Sequence, residues 1–194
     1  MVFWISLLLL FLAFVMMLIE RSGTRTTLEL SFKGDVKRET AFLAQYGQSV
    51  ATPVAAWLVW CSDPPDWKIP IAIIAPVLIT SVLTMIVKRL CGRVRPRHEN
   101  AGRFLGPTLK HASHRESFPS SHSACAMALS VALVPWYPQA MVVFWVLAAT
   151  TAVLRYILDA HFPSDVLAGC ALGLTVSTLT MRYLLPMAGI PVPL

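Results

Sequence analysis

Apolar residues along this 194-residue chain fall in long blocks instead of the period-2 or period-3.6 stripes of soluble strands and helices. Each block is close to the ~20 residues that a helix needs to cross about 30 Å of hydrocarbon. The blocks cover approximately 1–19, 44–61, 69–87, 118–136, 139–158 and 163–185. The pattern therefore predicts an all-α fold, a polytopic membrane bundle of about six transmembrane helices.

The first two blocks carry features that also fit other structures. The first block has no charge before Glu20, so it resembles the apolar part of a signal peptide. It lacks the basic start and the small-residue cleavage site of such peptides, and we therefore expect a retained helix. The second block is the least regular, because Gln45, Gln48 and Pro53 interrupt it. We expect residues 1–194 to form a single membrane-embedded domain.

Composition supports a membrane protein, and charge limits the kinds of molecule that it is expected to bind. Hydrophobic residues make up 56% of the chain and charged residues only 13%, against roughly 25% charged in soluble domains. A net charge of +6 is compatible with nucleic acid, but a chain without a soluble domain argues against that partner. Anionic lipid headgroups match the charge better. The four cysteines have no paired spacing and predict no disulfide.

Polar residues of three short segments share one face if six helices cross the membrane, because the loops after the third and fifth helices emerge on the same side. The segments are Lys-Arg-Leu-Cys-Gly-Arg-Val-Arg-Pro at 88–96, Phe-Pro-Ser-Ser-His at 118–122 and Arg-Tyr-Ile-Leu-Asp-Ala-His-Phe-Pro-Ser-Asp at 155–165. Topology alone thus predicts that two histidines, three selected cations, a serine and an aspartate lie together.

This set of side chains suits an anion with several exposed oxygens. Ser120 and His122 are predicted at the amino end of the fourth helix, where free N–H groups bind phosphate. Proline is common in the first turn of a helix, so we expect first-turn positions for Pro119 and Pro163. The cations that can neutralise and orient a phosphoryl group are Lys88, Arg95 and Arg155.

A histidine and an aspartate four residues apart suggest a nucleophile with a partner. His161 is predicted just before the sixth helix, and Asp165 is predicted in the first turn of that helix. This spacing lets the carboxylate accept a hydrogen bond from one imidazole nitrogen and leaves the other nitrogen free to attack. The second histidine, His122, can protonate the departing alkoxide.

The three segments resemble the motifs of the type 2 phosphatidic acid phosphatase superfamily. Its pattern is Lys-x6-Arg-Pro, then Pro-Ser-Gly-His, then Ser-Arg-x5-His-x3-Asp. The first motif is intact from Lys88 to Pro96. Ser121 replaces the glycine of the second motif, and Leu154 replaces the serine of the third. Together with the six-helix layout, the resemblance covers nearly the whole chain.

The resemblance implies a metal-independent phosphatase. It implies His161 as the nucleophile that forms a phosphohistidine, Asp165 as its partner and His122 as the general acid. No cofactor and no metal are expected, and the sequence offers no cluster of carboxylates or cysteines for a divalent ion. Serine at 121 is expected to be tolerated if that position has helical dihedrals. The residues that the resemblance implies for phosphate binding are Lys88, Arg95, Ser120, Ser121 and Arg155.

Three functions are compatible with these residues. The first is a phosphatase acting on a prenyl diphosphate, phosphatidylglycerophosphate, phosphatidate or lipid A. The second is a phosphotransferase with the same site, which passes the phosphate to another lipid instead of water. The third is a non-catalytic protein that binds anionic lipid, and the complete set of site residues argues against it. The oligomeric state stays open.

The side of the membrane on which the site lies is judged from charge and from the family. The basic segment 21–38 favours the cytoplasm. Bacterial members of the family usually turn the site outward. Most other basic residues are expected to serve the site, so their positions do not report on topology. We therefore expect an inner-membrane protein whose site faces the periplasm. Segment 31–46 predicts either an interfacial helix that guides lipid toward the site or an ordinary connector.

Overall fold

Helices make up most of the part of the chain that the computed structural model describes, residues 2–30, 32–48, 50–62, 66–108, 112–190 and 192. In this part, the main helices are α1 (Val2–Arg21), α2 (Gly34–Leu43), α3 (Ala51–Ser62), α4 (Lys68–Cys91), α5 (Ser121–Leu133), α6 (Met141–Ile157) and α7 (Pro163–Leu179). A π-helical turn at Thr180–Leu184 and a final turn at Leu185–Met187 continue α7. Short 3-10 turns at Ser113–Arg115 and Pro138–Ala140 precede α5 and α6.

Each predicted apolar block contains a helix, so the prediction of an all-α bundle is confirmed. Among the described residues, the segments long and apolar enough to cross a membrane are Val2–Arg21, Lys68–Cys91, Pro138–Ile157 and Pro163–Met187. The helices of the second and fourth blocks are shorter, at 12 and 13 residues. The helix lengths predicted for 44–61 and 118–136 are therefore wrong.

The second block is shortened by a turn around Gly47. Gly47 has a φ of 82°, a backbone conformation that residues with a Cβ rarely adopt. A Cβ at this position would also lie 2.5 Å from backbone atoms of Cys125 and Ala126 in α5. The chain therefore turns here in close contact with α5, and α3 begins only at Ala51.

Small residues let α5 and α7 pack closely against each other. A Cβ on Gly169 would lie 2.5 Å from the carbonyl oxygen of Ser120, and a Cβ on Gly173 would overlap the carbonyl oxygen of Ala124. One turn further along α7, Ser177 Oγ donates to a backbone carbonyl of α5 at 2.9 Å. Small residues at every fourth position favour such close contact between membrane helices. This close contact between α5 and α7 places their amino ends side by side.

Helix α1 packs against α7 and leaves most of its apolar side chains on the outside of the bundle. Phe3, Trp4 and Phe11 are exposed by 65%, 71% and 62%. An exposed apolar surface that extends along a whole helix suits contact with lipid instead of water. The carboxyl end of α1 differs, because Glu20 turns inward toward the amino end of α7.

The segment predicted as an interfacial helix or a connector contains α2. Val36, Phe42 and Leu43 of this helix are all more than half exposed. The extended stretch before it is tied to the end of α6, where Tyr156 Oη donates to the carbonyl oxygen of Thr26 at 2.9 Å. Residues 34–43 of this segment are therefore helical, whereas an interfacial position and a role in guiding lipid stay predictions.

Candidate active site

The loops after α4 and α6 meet at one end of the bundle and carry predicted site residues. Lys88 lies in the last turn of α4, and its Nζ donates to the carbonyl oxygen of Glu116 at 2.7 Å. Arg95, in the loop after α4, makes two long contacts of 3.5 Å, to the carbonyl oxygens of Glu116 and Ala160. The convergence predicted from topology is therefore present in the structure.

His161 lies in the short turn between α6 and α7 and is only 1% exposed. Its Nδ1 is 2.8 Å from the backbone carbonyl oxygen of Ser117. A carbonyl oxygen can only accept, so Nδ1 carries the proton and Nε2 keeps a free lone pair. Burial lowers the pKa of His161 to about 3; Asp165 opposes this shift, and nearby cations add to it. The imidazole is therefore neutral at pH 7.

The hydrogen bond predicted between Asp165 and His161 is wrong, because the backbone occupies that position. Asp165 Oδ2 lies 3.8 Å from His161 Nδ1, beyond hydrogen-bond distance. It accepts instead from Ser117 Oγ at 2.6 Å and from the backbone N–H of Phe162 at 2.9 Å. The second bond caps the amino end of α7. Asp165 is thus connected to His161 by hydrogen bonds through Ser117, whose carbonyl oxygen accepts from the imidazole.

Two buried charged residues beside Asp165 were not among the predicted site residues. Arg93 donates through Nη1 to Asp165 Oδ1 at 2.5 Å and through Nη2 to Glu20 Oε2 at 2.7 Å. The side chains of Arg93 and Glu20 are 1% and 3% exposed. One signal pointed to Glu20, since a carboxylate in the last turn of a helix opposes the helix dipole and calls for a specific partner.

Helix α5 begins at Ser121, three residues after the start of the predicted block at 118. Ser120 is the N-cap, because its Oγ accepts from the backbone N–H of Ser123 at 3.5 Å and from the Ser123 hydroxyl at 2.9 Å. The helix then starts at Ser121, so the first-turn position predicted for Pro119 is wrong. The prediction for Pro163 is confirmed, since it is the first residue of α7.

The residues around this N-cap differ in their access to a ligand. Ser120 is fully buried, although its hydroxyl proton stays available because Oγ accepts from Ser123. Ser121 and His122 are partly exposed in the first turn of α5. Position 121 is helical, as required for serine to replace glycine there. Leu154, the other departure from the family motifs, is partly buried in α6 and offers no hydrogen-bonding group.

The predicted cations lie close enough to act together. His122 lies within electrostatic reach of Lys88, Arg95 and Arg155. Within the described residues, the buried Nε atoms of Arg95 and Arg155 have no hydrogen-bond partner. Buried donors normally have one, so both guanidinium groups are suited to receive an anion. No group of three or more His, Cys, Asp or Glu side chains in the described part of the chain is arranged to hold a metal ion.

Comparison with known proteins identifies relatives that include enzymes of lipid phosphate metabolism. A lipid A 1-phosphatase of Rhizobium johnstonii is 37% identical over 105 residues, which cover 54% of this chain and 43% of that protein. An undecaprenyl-diphosphatase of Sulfolobus acidocaldarius is 31% identical over 148 residues, covering 73% of this chain and 67% of that protein. The matches to two Rhizobium lipid A 1-phosphatases span less than half of those proteins, 43% and 45%.

A solved structure shares the fold. The crystal structure of a transmembrane PAP2 type phosphatidylglycerolphosphate phosphatase from Bacillus subtilis aligns with a TM-score of 0.62 at 21% identity. The alignment covers 92% of this chain and 91% of that chain. The apolar helices of this chain and the fold that it shares with a transmembrane protein support an integral membrane protein. The sequence model of the PAP2 superfamily matches residues 67–186, which contain all three motifs, and the chain therefore belongs to the PAP2 superfamily.

Proposed function

We propose that this chain is a membrane-integrated lipid phosphatase that hydrolyses a phosphate or diphosphate headgroup through a phosphohistidine at His161. The observation that carries the proposal is the hydrogen bond of 2.8 Å between His161 Nδ1 and the Ser117 carbonyl oxygen. This bond leaves Nε2 with a free lone pair at neutral pH, beside cations suited to phosphate.

Substrate binding relies on charge neutralisation. Lys88, Arg95 and Arg155 offset the negative charge of the phosphate, and each arginine can offer parallel N–H groups to two phosphate oxygens. The N–H groups in the first turn of α5 have no preceding turn to donate to, and the amino end of the helix favours an anion. We assign Ser120 and Ser121 to this phosphate-binding set. The chain's own cations thus supply the positive charge that phosphoryl transfer requires.

The first chemical step transfers the phosphoryl group to His161. The Nε2 lone pair attacks phosphorus, and the bond from phosphorus to the lipid oxygen breaks. Nδ1 keeps its proton, so the imidazole becomes a phosphorylated cation held by the Ser117 carbonyl. Entry of the anionic phosphate offsets the charges of Lys88, Arg95 and Arg155 around His122, so His122 takes up a proton with the substrate and gives it to the departing lipid oxygen.

The second step releases phosphate and restores the enzyme. His122 is now neutral and accepts a proton from a water molecule as that water attacks phosphorus. The bond from phosphorus to Nε2 breaks, and its electron pair returns to His161. Inorganic phosphate leaves, and both histidines have regained their starting protonation states. Asp165 does not exchange protons in this scheme, because it acts through Ser117.

The substrate class follows from the relatives and from the position of the site. The relatives' names refer to lipid A, to undecaprenyl diphosphate and to decaprenylphosphoryl-5-phosphoribose, which all carry phosphate on a lipid. The candidate site lies at the ends of apolar helices, where a lipid headgroup would meet it. For this chain we therefore propose lipid A, a prenyl diphosphate, phosphatidylglycerophosphate or phosphatidate.

We further propose a bacterial inner-membrane location with the site facing the periplasm. The test is labelling of single cysteines placed in the loop at 97–108 of a chain whose own cysteines are replaced by alanine. An impermeant maleimide added to intact spheroplasts should label this loop. Labelling only after the spheroplasts are broken would place the site in the cytoplasm instead.

The proposed activity is tested with purified protein and a panel of the four lipid classes. Wild type should release inorganic phosphate from at least one class. His161→Ala should retain less than about a hundredth of that rate, because loss of a nucleophile costs several orders of magnitude. Appearance of the phosphate on an added lipid acceptor instead of in solution would identify a phosphotransferase. A rate for His161→Ala near that of wild type would contradict the proposal.

A further inference from the structure

Behind His161 lies a cluster of three charged side chains that are almost fully removed from solvent. Arg93 is at its centre and contacts Asp165 and Glu20 through different guanidinium nitrogens, at 2.5 and 2.7 Å. The three side chains are at most 3% exposed. Two buried carboxylates and one guanidinium leave the cluster with one net negative charge.

The guanidinium group of Arg93 is held in one orientation by aromatic rings as well as by the carboxylates. Its Cζ lies 4.4 Å from the ring centre of Phe162 and 5.1 Å from that of Phe104. Contacts at these distances are favourable for a cation over an aromatic face. Arg93 therefore has little freedom to turn away from Asp165, and Phe162 is the residue that follows His161.

Glu20 connects the end of α1 to the first turn of α7. Its Oε1 accepts from the backbone N–H of Ser164 at 3.0 Å, and its Oε2 accepts from the Ser164 hydroxyl. A carboxylate at the amino end of a helix is stabilised by the helix dipole. Glu20 thus fixes both Arg93 and the start of α7, although it lies more than 70 residues from either in sequence.

A continuous path of short hydrogen bonds joins this cluster to the imidazole. Asp165 uses Oδ1 for Arg93 and Oδ2 for the hydroxyl of Ser117, at 2.6 Å. The carbonyl oxygen of the same serine accepts from His161 Nδ1. The backbone N–H of Ser117 also donates to the carbonyl oxygen of Arg93 at 3.0 Å. The cluster therefore determines where the Ser117 carbonyl points.

We infer that Glu20 and Arg93 are positioning residues for the nucleophile, an inference that rests on the function proposed above. They hold Asp165 and Ser117 so that His161 presents Nε2 to phosphorus. Their second contribution is electrostatic. The imidazole becomes a cation when Nε2 is phosphorylated, and the net negative charge of the cluster stabilises that cation in a region of low dielectric constant.

The experiment compares Glu20→Gln with Glu20→Asp. Glutamine keeps the size of the side chain and removes its charge, whereas aspartate keeps the charge on a shorter side chain. Glu29→Gln is the matched control, because Glu29 lies in the loop after α1 with its side chain 55% exposed. The kcat and KM for phosphate release are measured on the folded fraction of each variant, isolated by size exclusion.

The inference predicts that Glu20→Gln lowers kcat about 10-fold or more, the usual effect of losing a residue that orients a catalytic histidine. KM should change less than about 3-fold, because the phosphate-binding cations are untouched. Glu20→Asp should be several-fold more active than Glu20→Gln, and Glu29→Gln should match wild type.

If Glu20→Gln does not fold, Arg93→Lys takes its place, with Arg103→Lys on the same loop as its control. Arg93→Lys keeps the charge but loses the fork that contacts two carboxylates, so kcat should again fall.

A kcat for folded Glu20→Gln or Arg93→Lys within about 2-fold of wild type would overturn the inference. Equal losses in Glu20→Gln and Glu20→Asp would also do so, since they would indicate a role in packing alone. Failure of the proposed function has a different signature. In that case wild type releases no phosphate from any lipid, or His161→Ala is as active as wild type.

Discussion

His161 donates a hydrogen bond from Nδ1 to the backbone carbonyl oxygen of Ser117, at 2.8 Å. The acceptor is a main-chain atom whose position depends on the loop before α5 and on the bond from the Ser117 hydroxyl to Asp165. One bond thus fixes both the tautomer and the direction of the imidazole. The predictions below follow from this arrangement and from the charges around it.

The burial of neutral His161 predicts a pH dependence of stability. The pKa of His161 is about 3 in the folded chain, below the ordinary value of 6.5 that it regains on unfolding. The unfolded chain therefore binds more protons below pH 6.5, and stability falls as the pH drops toward 3. Thermal unfolding in detergent should show a larger decrease between pH 7.5 and pH 5 for wild type than for His161→Asn. Equal decreases would show that His161 is not held neutral.

The role proposed for His122 predicts a dependence on the leaving group. A lipid alkoxide needs a proton to leave, so His122→Ala should slow phosphate release from lipid about 10²–10⁴-fold. An aryl phosphate such as p-nitrophenyl phosphate leaves without that help, so its first step should slow clearly less. His161→Ala should impair both substrates about equally, because attack on phosphorus is needed for each.

Rapid mixing measures this first step as the burst of p-nitrophenol or of dephosphorylated lipid. If both histidines only bind phosphate, each variant would lose the two substrates in parallel. That result would contradict the general-acid role of His122 and leave the phosphatase proposal to be judged by the lipid panel.

The positive charges of Lys88, Arg95 and Arg155 predict activity without a divalent ion. Phosphate release should therefore persist in EDTA at the rate measured before chelation. Lys88→Gln, which removes one of these charges, should raise KM or lower kcat in the same buffer. Loss of activity on chelation, with recovery on addition of Mg²⁺ or Mn²⁺, would show that the three cations do not suffice.

The close packing of α5 against α7 predicts sensitivity at Gly173. An added Cβ would overlap the carbonyl oxygen of Ala124, which is backbone and cannot move aside cheaply. Gly173→Ala should therefore lower stability by about 1–3 kcal/mol, the usual cost of overpacking. Thr175→Ala, on a partly exposed position of the same helix, is the control and should unfold close to the wild-type temperature. Equal unfolding temperatures for both variants would contradict the packing described here.

Much of the fold and of the candidate site was predictable, because both depend on local patterns. Apolar blocks predict membrane helices directly, and the order of the loops places 88–96 and 155–165 at one end. The lengths of α3 and α5 were not predictable in this way. The turn at Gly47 packs against α5, and the backbone N–H of Ser120 donates to the carbonyl oxygen of Asp165 in α7. An apolar block reveals neither contact.

The cluster of Glu20 and Arg93 was missed for a related reason. Charged residues at the ends of membrane helices usually contact water or headgroups, and the sequence gives no sign that Arg93 turns inward. For Glu20 the one sign is a carboxylate placed against the helix dipole. The acceptor of the His161 hydrogen bond was missed because every residue has a backbone carbonyl. The spacing of His161 and Asp165 indicated that the two side chains lie near each other. It could not show that Ser117 connects them by hydrogen bonds.

The central claim, a phosphohistidine at His161, is tested most directly by trapping it. His122→Ala with p-nitrophenyl phosphate is the best starting point, because attack still proceeds while activation of water is impaired. The reaction is stopped in alkaline denaturant, and the phosphorylated residue is located by mass spectrometry. We expect phosphate on His161, and none in the His122→Ala/His161→Ala double variant. Release of p-nitrophenol by His122→Ala with phosphate on a different residue, or with no phosphorylated residue at all, would contradict the account.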